Sequence, residues 1–253
     1  MDDTYVINLD MDVSRLRDFT AMMGNWSFIR HPAINGKVND DTMRRLKKKY
    51  LQSLTWLTAS EIGCLLSHVT LWEEVAHNPL KNRIAIFEDD ARSHVDSATV
   101  QATITAFYTY LSESGIEEPD MLYLGKALDD CVSYERVWNN VYKSRHPLCL
   151  HAYIITKRGA RKLLNMAPYA LAIDMVPIKA IEKGIINVMT FHPSIYFQDV
   201  FGNVSNLRRM SSAVNNTTEC LVRQQHITGE TWYYLIVIFI GLLALLVLCW
   251  IYM

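Results

Sequence analysis

The sequence lacks an excess of charge of either sign. Lys and Arg together number 25 and Asp and Glu 26, so the formal net charge of the 253-residue chain is -1. Nucleic-acid-binding proteins usually carry a basic field, and the chain also has no array of aromatic and basic side chains suited to a single strand. The sequence therefore predicts no nucleic-acid partner.

The cysteines lack the spacing of a zinc knuckle or of a disulfide framework. They stand far apart, at Cys64, Cys131, Cys149, Cys220 and Cys249, and no two of them form a CxxC pair. An odd and scattered set favours reduced thiols in a domain that faces the cytosol. The first segment, MDDTYVINLD, also lacks the apolar core of a secretory signal, so none is expected.

Charge is missing from the stretch WYYLIVIFIGLLALLVLCWIYM, which begins at Trp232. About 20 apolar residues suffice to span a bilayer as a helix, and aromatic side chains stand at both ends, where interfacial belts form. A buried core helix is the alternative, but it needs apolar cover on all sides. The sequence predicts a transmembrane anchor over residues 231–253, joined by a polar linker over residues 202–230 to a domain over residues 1–201.

The orientation of this anchor follows from the charges beside it. The nearest upstream cations include Arg208, Arg209 and Arg223, and no basic flank follows the apolar stretch. The positive-inside tendency then predicts that the large domain faces the cytosol. N-glycosylation sequons begin at Asn25, Asn203, Asn215 and Asn216. In a domain without a secretory signal, these sequons are interpreted as chance matches.

Strand and helix patterns alternate through residues 1–201. The short apolar runs TYVIN, RIAIF and MLYLG predict strands, and ASEIGCLLSHVTLWEEVAHN predicts a helix that begins with a capping box of Thr58 and Glu61. A further helix is predicted over residues 97 to 112, and a late strand is expected to break at Pro193. This alternation predicts an α/β sandwich with a mostly parallel central sheet.

The stretch RIAIFEDDAR, residues 83 to 92, runs from a predicted strand directly into three carboxylates. Neighbouring carboxylates repel one another and lose hydration at a cost, so an ordered cluster needs a cation or a water-filled cleft. Ligands of open α/β sheets bind beyond the carboxyl ends of the strands, which is where Glu88, Asp89 and Asp90 are expected. Alternation along the strand would direct Glu88 and Asp90 to one side and Asp89 to the other. We predict Mn²⁺ or Mg²⁺ on Glu88 and Asp90; an acidic turn that caps the next helix is the alternative.

The acidic triplet belongs to a longer series of motifs. From about Tyr5 to Gln198 the chain contains, in order, YVINLD, AINGK, EIGCLLSHVTLWE, IFEDDA, YLGK and AYIITKRGARKLL. This series resembles glycosyltransferase family 25, the family of bacterial lipooligosaccharide transferases and collagen galactosyltransferases. The resemblance implies a GT-A type, Rossmann-like fold, a nucleotide-sugar donor such as UDP-galactose, Mn²⁺, and inversion at the anomeric carbon.

The resemblance also implies roles for individual residues. The acidic triplet matches the family's counterpart of the DxD motif, in which one acid holds the metal and another reaches the ribose. The residues then expected to bind the nucleotide sugar are Asn8, Leu9, Arg15, Glu61, His68, Glu88 and Asp89. Asp174 falls where the family carries an Asp and is the candidate catalytic base for the acceptor hydroxyl. A helix N-cap is the alternative for Asp174.

Two histidines are further candidates for the site, and two residues depart from the family pattern. His151 either faces the acceptor or packs in the core, and His192 is a candidate third metal ligand. Met11 stands where an Arg often follows NLD, and Asn206 replaces the acid of a Ser-Asp pair. Both replacements remove a charge that could act in metal, phosphate or acceptor binding.

These patterns predict a membrane-tethered, metal-dependent, inverting glycosyltransferase. It would move galactose or glucose from a nucleotide diphosphate to a glycan, lipid-linked or protein acceptor. A non-catalytic nucleotide-sugar or glycan-binding module is the main alternative, and a nucleotide-sugar hydrolase is another. A cytosol-facing enzyme tethered through residues 232–253 would suit a virus or an intracellular parasite that glycosylates outside the usual lumen.

Overall fold

A computed structural model of the chain describes residues 2–199 and Cys220. The helices are α1 (Val13–Met23), α2 (Asp41–Tyr50), α3 (Ala59–His77), α4 (Ser97–Ser114), α5 (Lys157–Leu164) and α6 (Met175–Glu182). The first strands are β1 (Asp3–Asn8), β2 (Ile29–Pro32), β3 (Arg83–Glu88), β4 (Ala91–Ser93) and β5 (Met121–Ala127). The later strands are β6 (Glu135–Trp138), β7 (Val141–Lys143), β8 (Leu148–Thr156), β9 (Val188–Phe191) and β10 (Tyr196–Gln198).

Eight of these strands form one sheet in the order β2-β1-β3-β8-β5-β9-β7-β6. The pairings give β2, β1, β3, β5, β9 and β6 one direction, and β8 and β7 the other. The predicted α/β sheet is therefore mostly parallel in strand direction, but no local pattern predicts that β8 is inserted antiparallel between β3 and β5. Strands β4 and β10 form a separate antiparallel pair.

The core lies on both faces of the sheet. Ile84 and Ile86 of β3 pack into the cluster that contains α3, α5 and α6, whereas Ala85 and Phe87 pack into the cluster that contains α1 and α4. Successive side chains of a strand point to opposite faces, so a strand with apolar residues at every position is covered on both. The continuous apolar run before the acids is thus explained by a helix layer on each side.

Local sequence signals are confirmed at several elements. The capping box of Thr58 and Glu61 is present at the start of α3. The helix predicted over residues 97 to 112 is α4, Ser97–Ser114. The late strand breaks as expected, because β9 ends at Phe191 and β10 begins at Tyr196, on either side of Pro193.

The prediction of reduced thiols is wrong for two of the cysteines. Cys131 and Cys220 form a disulfide across 89 positions of the chain. Cys220 also forms an isolated bridge with Asp129, two residues before Cys131. Local spacing carries no trace of such a pair, because only the folded chain brings its members together. Of the other cysteines, Cys64 and Cys149 are free.

No helix within residues 2–199 is long and apolar enough to cross a bilayer. The predicted anchor over residues 231–253 lies outside the described residues, and so does the predicted linker apart from Cys220. Asn206 lies outside them as well. The anchor, the linker and their boundaries therefore stay predictions.

Candidate active site

A cleft of about 270 Å³ lies beyond the carboxyl ends of β1, β2 and β3. These three strands are adjacent and parallel, so their carboxyl ends meet at one edge of the sheet. The lining comes from the end of β1, the start of α1, the loop after β2, the first half of α3 and the end of β3. This is the edge at which open α/β sheets bind their ligands.

The end of β1 and the start of α1 hold the acidic cluster from one side. Asn8 is buried, and its Nδ2 donates to Oδ2 of Asp89 at 2.6 Å and to the carbonyl of Asp12 at 3.0 Å. Arg15 forms ion pairs with Asp89 and, at 2.9 Å, with Asp90. Leu9 lines the cleft beside them. The structure thus brings the predicted N-terminal residues together with the acids.

The expected alternation of the three acids is wrong. Strand β3 ends at Glu88, and Asp89 and Asp90 already lie in the turn that follows, where the two-residue period no longer applies. All three side chains line the same cleft. Gln198 of β10 donates its Nε2 to Oδ2 of Asp90 at 3.1 Å and lies 3.5 Å from Oε2 of Glu88.

The acids are only partly neutralised by their partners. Burial, with Asp90 beside it, raises the pKa of Glu88 to about 7, and burial raises the pKa of Asp89 to about 6 despite the nearby guanidinium of Arg15. The same carboxylates overcome the effect of burial on Arg15 and raise its pKa. Oδ1 of Asp90 is buried and has no hydrogen-bond partner among the residues that the structure describes. The cluster therefore favours the approach of a further cation.

His68 supports Glu88 from α3. Its Nε2 lies 3.1 Å from Oε1 of Glu88, and its Nδ1 lies 2.9 Å from the hydroxyl of Tyr153, which also accepts from Nε1 of Trp72 at 2.9 Å. Burial lowers the pKa of His68 to about 4, so the imidazole is neutral at physiological pH. Cys64 lies one turn earlier on the helix, with its Sγ 3.7 Å from Oε1 of Glu88.

Glu61 is occupied by the helix cap. Its Oε2 accepts from the backbone N–H of Thr58 at 2.7 Å and from the hydroxyl of Thr58 at 2.8 Å. Its side chain is not among those that line the cleft within the described residues. A contact between Glu61 and a nucleotide sugar stays a prediction.

Asp174 does not act as a helix cap, which was the alternative to a catalytic role. It stands at the N-cap position of α6, but its side chain makes no capping hydrogen bond. Burial, followed by the charge of Glu88, raises the pKa of Asp174 to about 6. The charge of His68 opposes this increase, and Asp174 is not among the residues that line the cleft in the described part of the chain.

The other two candidate histidines differ in their relation to the acids. His151 is buried and hydrogen-bonds through Nε2 to the carbonyl of Tyr196 at 3.2 Å. Burial lowers the pKa of His151, and the charges of Asp90 and Glu88 oppose that shift. His192 lies in a cluster with Cys131 and Cys220, so the structure does not bring it to the acids as a third ligand.

Sequence reasoning missed the close approach that forms one wall of the cleft. A Cβ on Gly36 would lie 1.7 Å from the carbonyl oxygen of Ala59, and one on Gly63 would lie 2.4 Å from that of Ile34. The backbone N–H of Ile34 also donates to the hydroxyl of Ser67 at 2.8 Å. Two glycines thus allow the loop after β2 to lie against α3, and the signal was present in the motifs AING and EIGC.

Comparison with known proteins identifies relatives. Residues 1–177 match the family described as "Glycosyltransferase family 25 (LPS biosynthesis protein)". Procollagen galactosyltransferase 1-B of Xenopus laevis is 31% identical over 180 residues, which are 70% of this chain and 27% of that protein. A Rattus norvegicus protein named "Probable inactive glycosyltransferase 25 family member 3" is 32% identical over 118 residues, 44% of this chain and 19% of that one. The chain spans about a fifth to a quarter of the length of these relatives.

Solved structures resemble the chain only distantly. Apo UDP-glucose pyrophosphorylase aligns with a TM-score of 0.35 and 8% identity, over 75% of this chain and 72% of that chain. A putative glucose-1-phosphate thymidylyltransferase from Bacillus anthracis gives a TM-score of 0.33 at 11% identity, over 76% and 72% of the two chains.

Proposed function

Because the chain belongs to glycosyltransferase family 25, we propose that it transfers a sugar from a nucleotide diphosphate to an acceptor hydroxyl. The observation that carries the proposal is the cluster of Glu88, Asp89 and Asp90, under-neutralised in a cleft at the carboxyl edge of the sheet. A GT-A type domain binds its donor at such an edge. Relatives named procollagen galactosyltransferases favour galactose as the sugar and a protein as the acceptor, with glucose and a glycan or lipid-linked acceptor as the other possibilities.

We place a divalent cation, Mn²⁺ or Mg²⁺, on Glu88 and Asp90. The fit rests on the buried Oδ1 of Asp90, which has no hydrogen-bond partner within residues 2–199 and Cys220. These cations take oxygen ligands, and a buried carboxylate oxygen without a partner is costly. When bound, such an ion supplies positive charge opposite the leaving diphosphate.

The chain's own residues would bind and orient the donor around that ion. Asn8 fixes Asp89 by its 2.6 Å hydrogen bond, so Asp89 presents a carboxylate edge to the ribose hydroxyls. Arg15 forms ion pairs with Asp89 and Asp90, and its guanidinium could also bind a phosphate oxygen of the donor. Leu9 gives apolar contact at the rim of the cleft, and His68 holds Glu88 in place.

Asp174 is the proposed base that takes the proton from the acceptor hydroxyl. A group with a pKa of about 6 is mostly ionised at neutral pH and still basic enough to accept a proton in the transition state. Its carboxylate makes no capping hydrogen bond, although it accepts one from the backbone of Leu150. Attack by the hydroxyl on the face opposite the leaving diphosphate would invert the anomeric carbon.

Membrane tethering through residues 231–253 is proposed from the apolar run alone. The Cys131–Cys220 disulfide weighs against the cytosolic orientation that the flanking charges predict, since disulfides persist mainly in oxidising compartments. We expect the domain to face such a compartment. An endoglycosidase-sensitive increase in mass would support this orientation, and an unmodified, fully reduced protein would restore the cytosolic one.

The test of transfer uses the full chain in detergent with Mn²⁺ and a panel of donors that includes UDP-galactose and UDP-glucose. We expect metal-dependent release of UDP from one donor, accelerated by an acceptor and lost in Asp90→Asn. Asp41→Asn is the matched control, because Asp41 is an exposed carboxylate on α2 that forms an ion pair with Arg44. Equal turnover by the two variants would contradict the proposal.

A second candidate function is donor binding without transfer. It is favoured by the relative named probable inactive, and by Arg15, which already occupies part of the space between Asp89 and Asp90. Metal-dependent UDP binding with no turnover on any donor would support this function. Release of free sugar at full rate without an acceptor would instead indicate a nucleotide-sugar hydrolase.

A further inference from the structure

We propose that Cys64, His68 and Glu88 form a binding site for a borderline divalent cation such as Zn²⁺, separate in chemistry from the oxygen-only site proposed for Mn²⁺. The Sγ, imidazole nitrogen and carboxylate oxygen of these residues all lie within 4.8 Å of one another. Sulfur, nitrogen and oxygen together are the ligand types that zinc takes in proteins, whereas Mn²⁺ and Mg²⁺ favour oxygen.

The distances fit a tetrahedral ion. Nε2 of His68 is 3.1 Å from Oε1 of Glu88, and Sγ of Cys64 is 3.7 Å from the same oxygen. Tetrahedral zinc, with bonds of about 2.0–2.3 Å, separates its ligand atoms by roughly 3.4–3.6 Å. The two measured separations therefore need to change by only about 0.3 Å or less. The Sγ of Cys64 and the imidazole nitrogen of His68 also lie within 4.8 Å of each other.

Helix α3 holds two of the proposed ligands, Cys64 and His68, next to each other. Cys64 and His68 are four positions apart on α3, so their side chains lie on one face, one turn above the other. Glu88 faces them from the end of β3, which is fixed by its pairing to β1 and β8. The three ligands thus come from two rigid elements rather than from a loop.

A second layer of contacts orients the imidazole. Metal-binding histidines usually give their other ring N–H to a nearby acceptor, which fixes the tautomer. Here the hydroxyl of Tyr153 lies 2.9 Å from Nδ1 of His68 and is itself held by Nε1 of Trp72. With the proton on Nδ1, the lone pair of Nε2 is directed at the position between Cys64 and Glu88.

The site is open to the cleft. All three residues line it, so an ion can reach them from solvent and keep a free position for water or an anionic ligand. On binding, the thiol of Cys64 releases its proton to solvent, and the ion replaces the two contacts that now converge on Oε1 of Glu88. Because Glu88 is also a proposed Mn²⁺ ligand, zinc bound here would inhibit transfer. That consequence rests on the proposed function, whereas the binding itself does not.

The first test is a titration of the full chain with Co²⁺, in which absorption spectroscopy measures binding. Cobalt replaces zinc in such sites, and a sulfur ligand adds a charge-transfer band in the near ultraviolet. We expect this band in the unaltered protein and its loss in Cys64→Ser, with zinc affinity lowered at least about tenfold. Cys149→Ser is the matched control, because Cys149 is the other free cysteine among the described residues and lies outside the cluster. No sulfur band, or the same band in Cys64→Ser, would overturn the proposal.

Two further measurements separate this site from the catalytic one and from failures of folding. Asp90→Asn should keep the sulfur–cobalt band even where metal-dependent UDP binding is lost, so the two proposals fail independently. If Cys64→Ser does not fold, alkylation of the unaltered protein replaces it: Zn²⁺ should slow modification of Cys64 at least tenfold relative to Cys149. Equal slowing at both cysteines, or none, would contradict a site at Cys64.

Discussion

One buried acid, Asp120, and a cluster of three acids, Glu88, Asp89 and Asp90, lie at opposite ends of the strands of one sheet, and their surroundings differ. Asp120 immediately precedes β5 and is fully buried. It accepts from Nε of Arg158 at 2.6 Å, Nζ of Lys162 at 2.7 Å and the backbone N–H of Asn187 at 2.9 Å. These donors outweigh the effect of burial and lower its pKa.

At the end of β3, by contrast, the carboxylates outnumber the cations that neutralise them. Arg15 forms ion pairs with Asp89 and Asp90, and Glu88 contacts His68 and Gln198 instead. Oδ1 of Asp90 has no hydrogen-bond partner within the described part of the chain. The pKa is raised for Glu88 and Asp89, where it is lowered for Asp120. One carboxylate with two cations is a structural arrangement, whereas three carboxylates with one cation in an open cleft are arranged to bind something more.

The largest expected effect is on catalysis at the cleft. Asp90→Asn removes the charge that we assign to metal binding and should lower kcat by about 100-fold or more. The melting temperature should stay the same or rise, because a buried and under-neutralised charge is removed. Steady-state kinetics and circular dichroism measure the two quantities on the same preparation. If Asp90→Asn keeps the kcat of the unaltered protein, the functional difference that we propose between Asp120 and the acids at the end of β3 would be contradicted.

Asp174→Asn should lower kcat by roughly 100-fold and change the pH profile. The ionised form of Asp174 is the base, so the rate of the unaltered enzyme should rise as pH passes upward through about 6, the raised pKa of this carboxyl. The Asp174→Asn variant should lose this rise in rate, the acidic limb of the pH profile. If the limb remains in the variant, another group near the cleft supplies the base.

Asp120→Asn should act on stability instead of rate. It leaves Arg158 and Lys162 beside an uncharged side chain and should cost about 2 kcal/mol of unfolding free energy, since both cations are partly exposed and keep some hydration. We expect kcat to change less than threefold, because Asp120 is remote from the cleft. Urea unfolding measures the first quantity, and a large fall in kcat with normal stability would count against the comparison.

A smaller effect is expected on how stability depends on pH. A carboxyl whose pKa is higher in the folded protein than in the unfolded chain binds protons more tightly when folded, so its contribution to stability falls as pH rises. For Glu88 this fall should occur between about pH 4.5 and pH 7. The metal-free Glu88→Gln variant should therefore gain stability over the unaltered protein across that range, by about 1–2 kcal/mol. A constant difference across the range would show that Glu88 is not held in an unfavourable charge state.

What the sequence predicted correctly was mostly local. The apolar run into Glu88, the capping box of Thr58 and Glu61, and the break at Pro193 each depend on neighbours within a few positions. The predicted alternation of Glu88, Asp89 and Asp90 was wrong because strand β3 ends at Glu88.

What the sequence could not predict depends on distant parts of the chain. The antiparallel insertion of β8 and the Cys131–Cys220 disulfide join segments that no local pattern connects. The same is true of the contact between Gln198 and Asp90, which are 108 positions apart. Residue types identified the acids as candidates, but only the fold gave Arg15 and Gln198 as their partners.

The most direct test of the acidic cleft is calorimetric titration of UDP into the full chain with and without Mn²⁺. The unaltered protein and Asp120→Asn should bind UDP only when Mn²⁺ is present, and Asp90→Asn should bind at least about tenfold more weakly. If Asp90→Asn binds UDP as tightly as Asp120→Asn does, the acids at the end of β3 do not form the metal–nucleotide site.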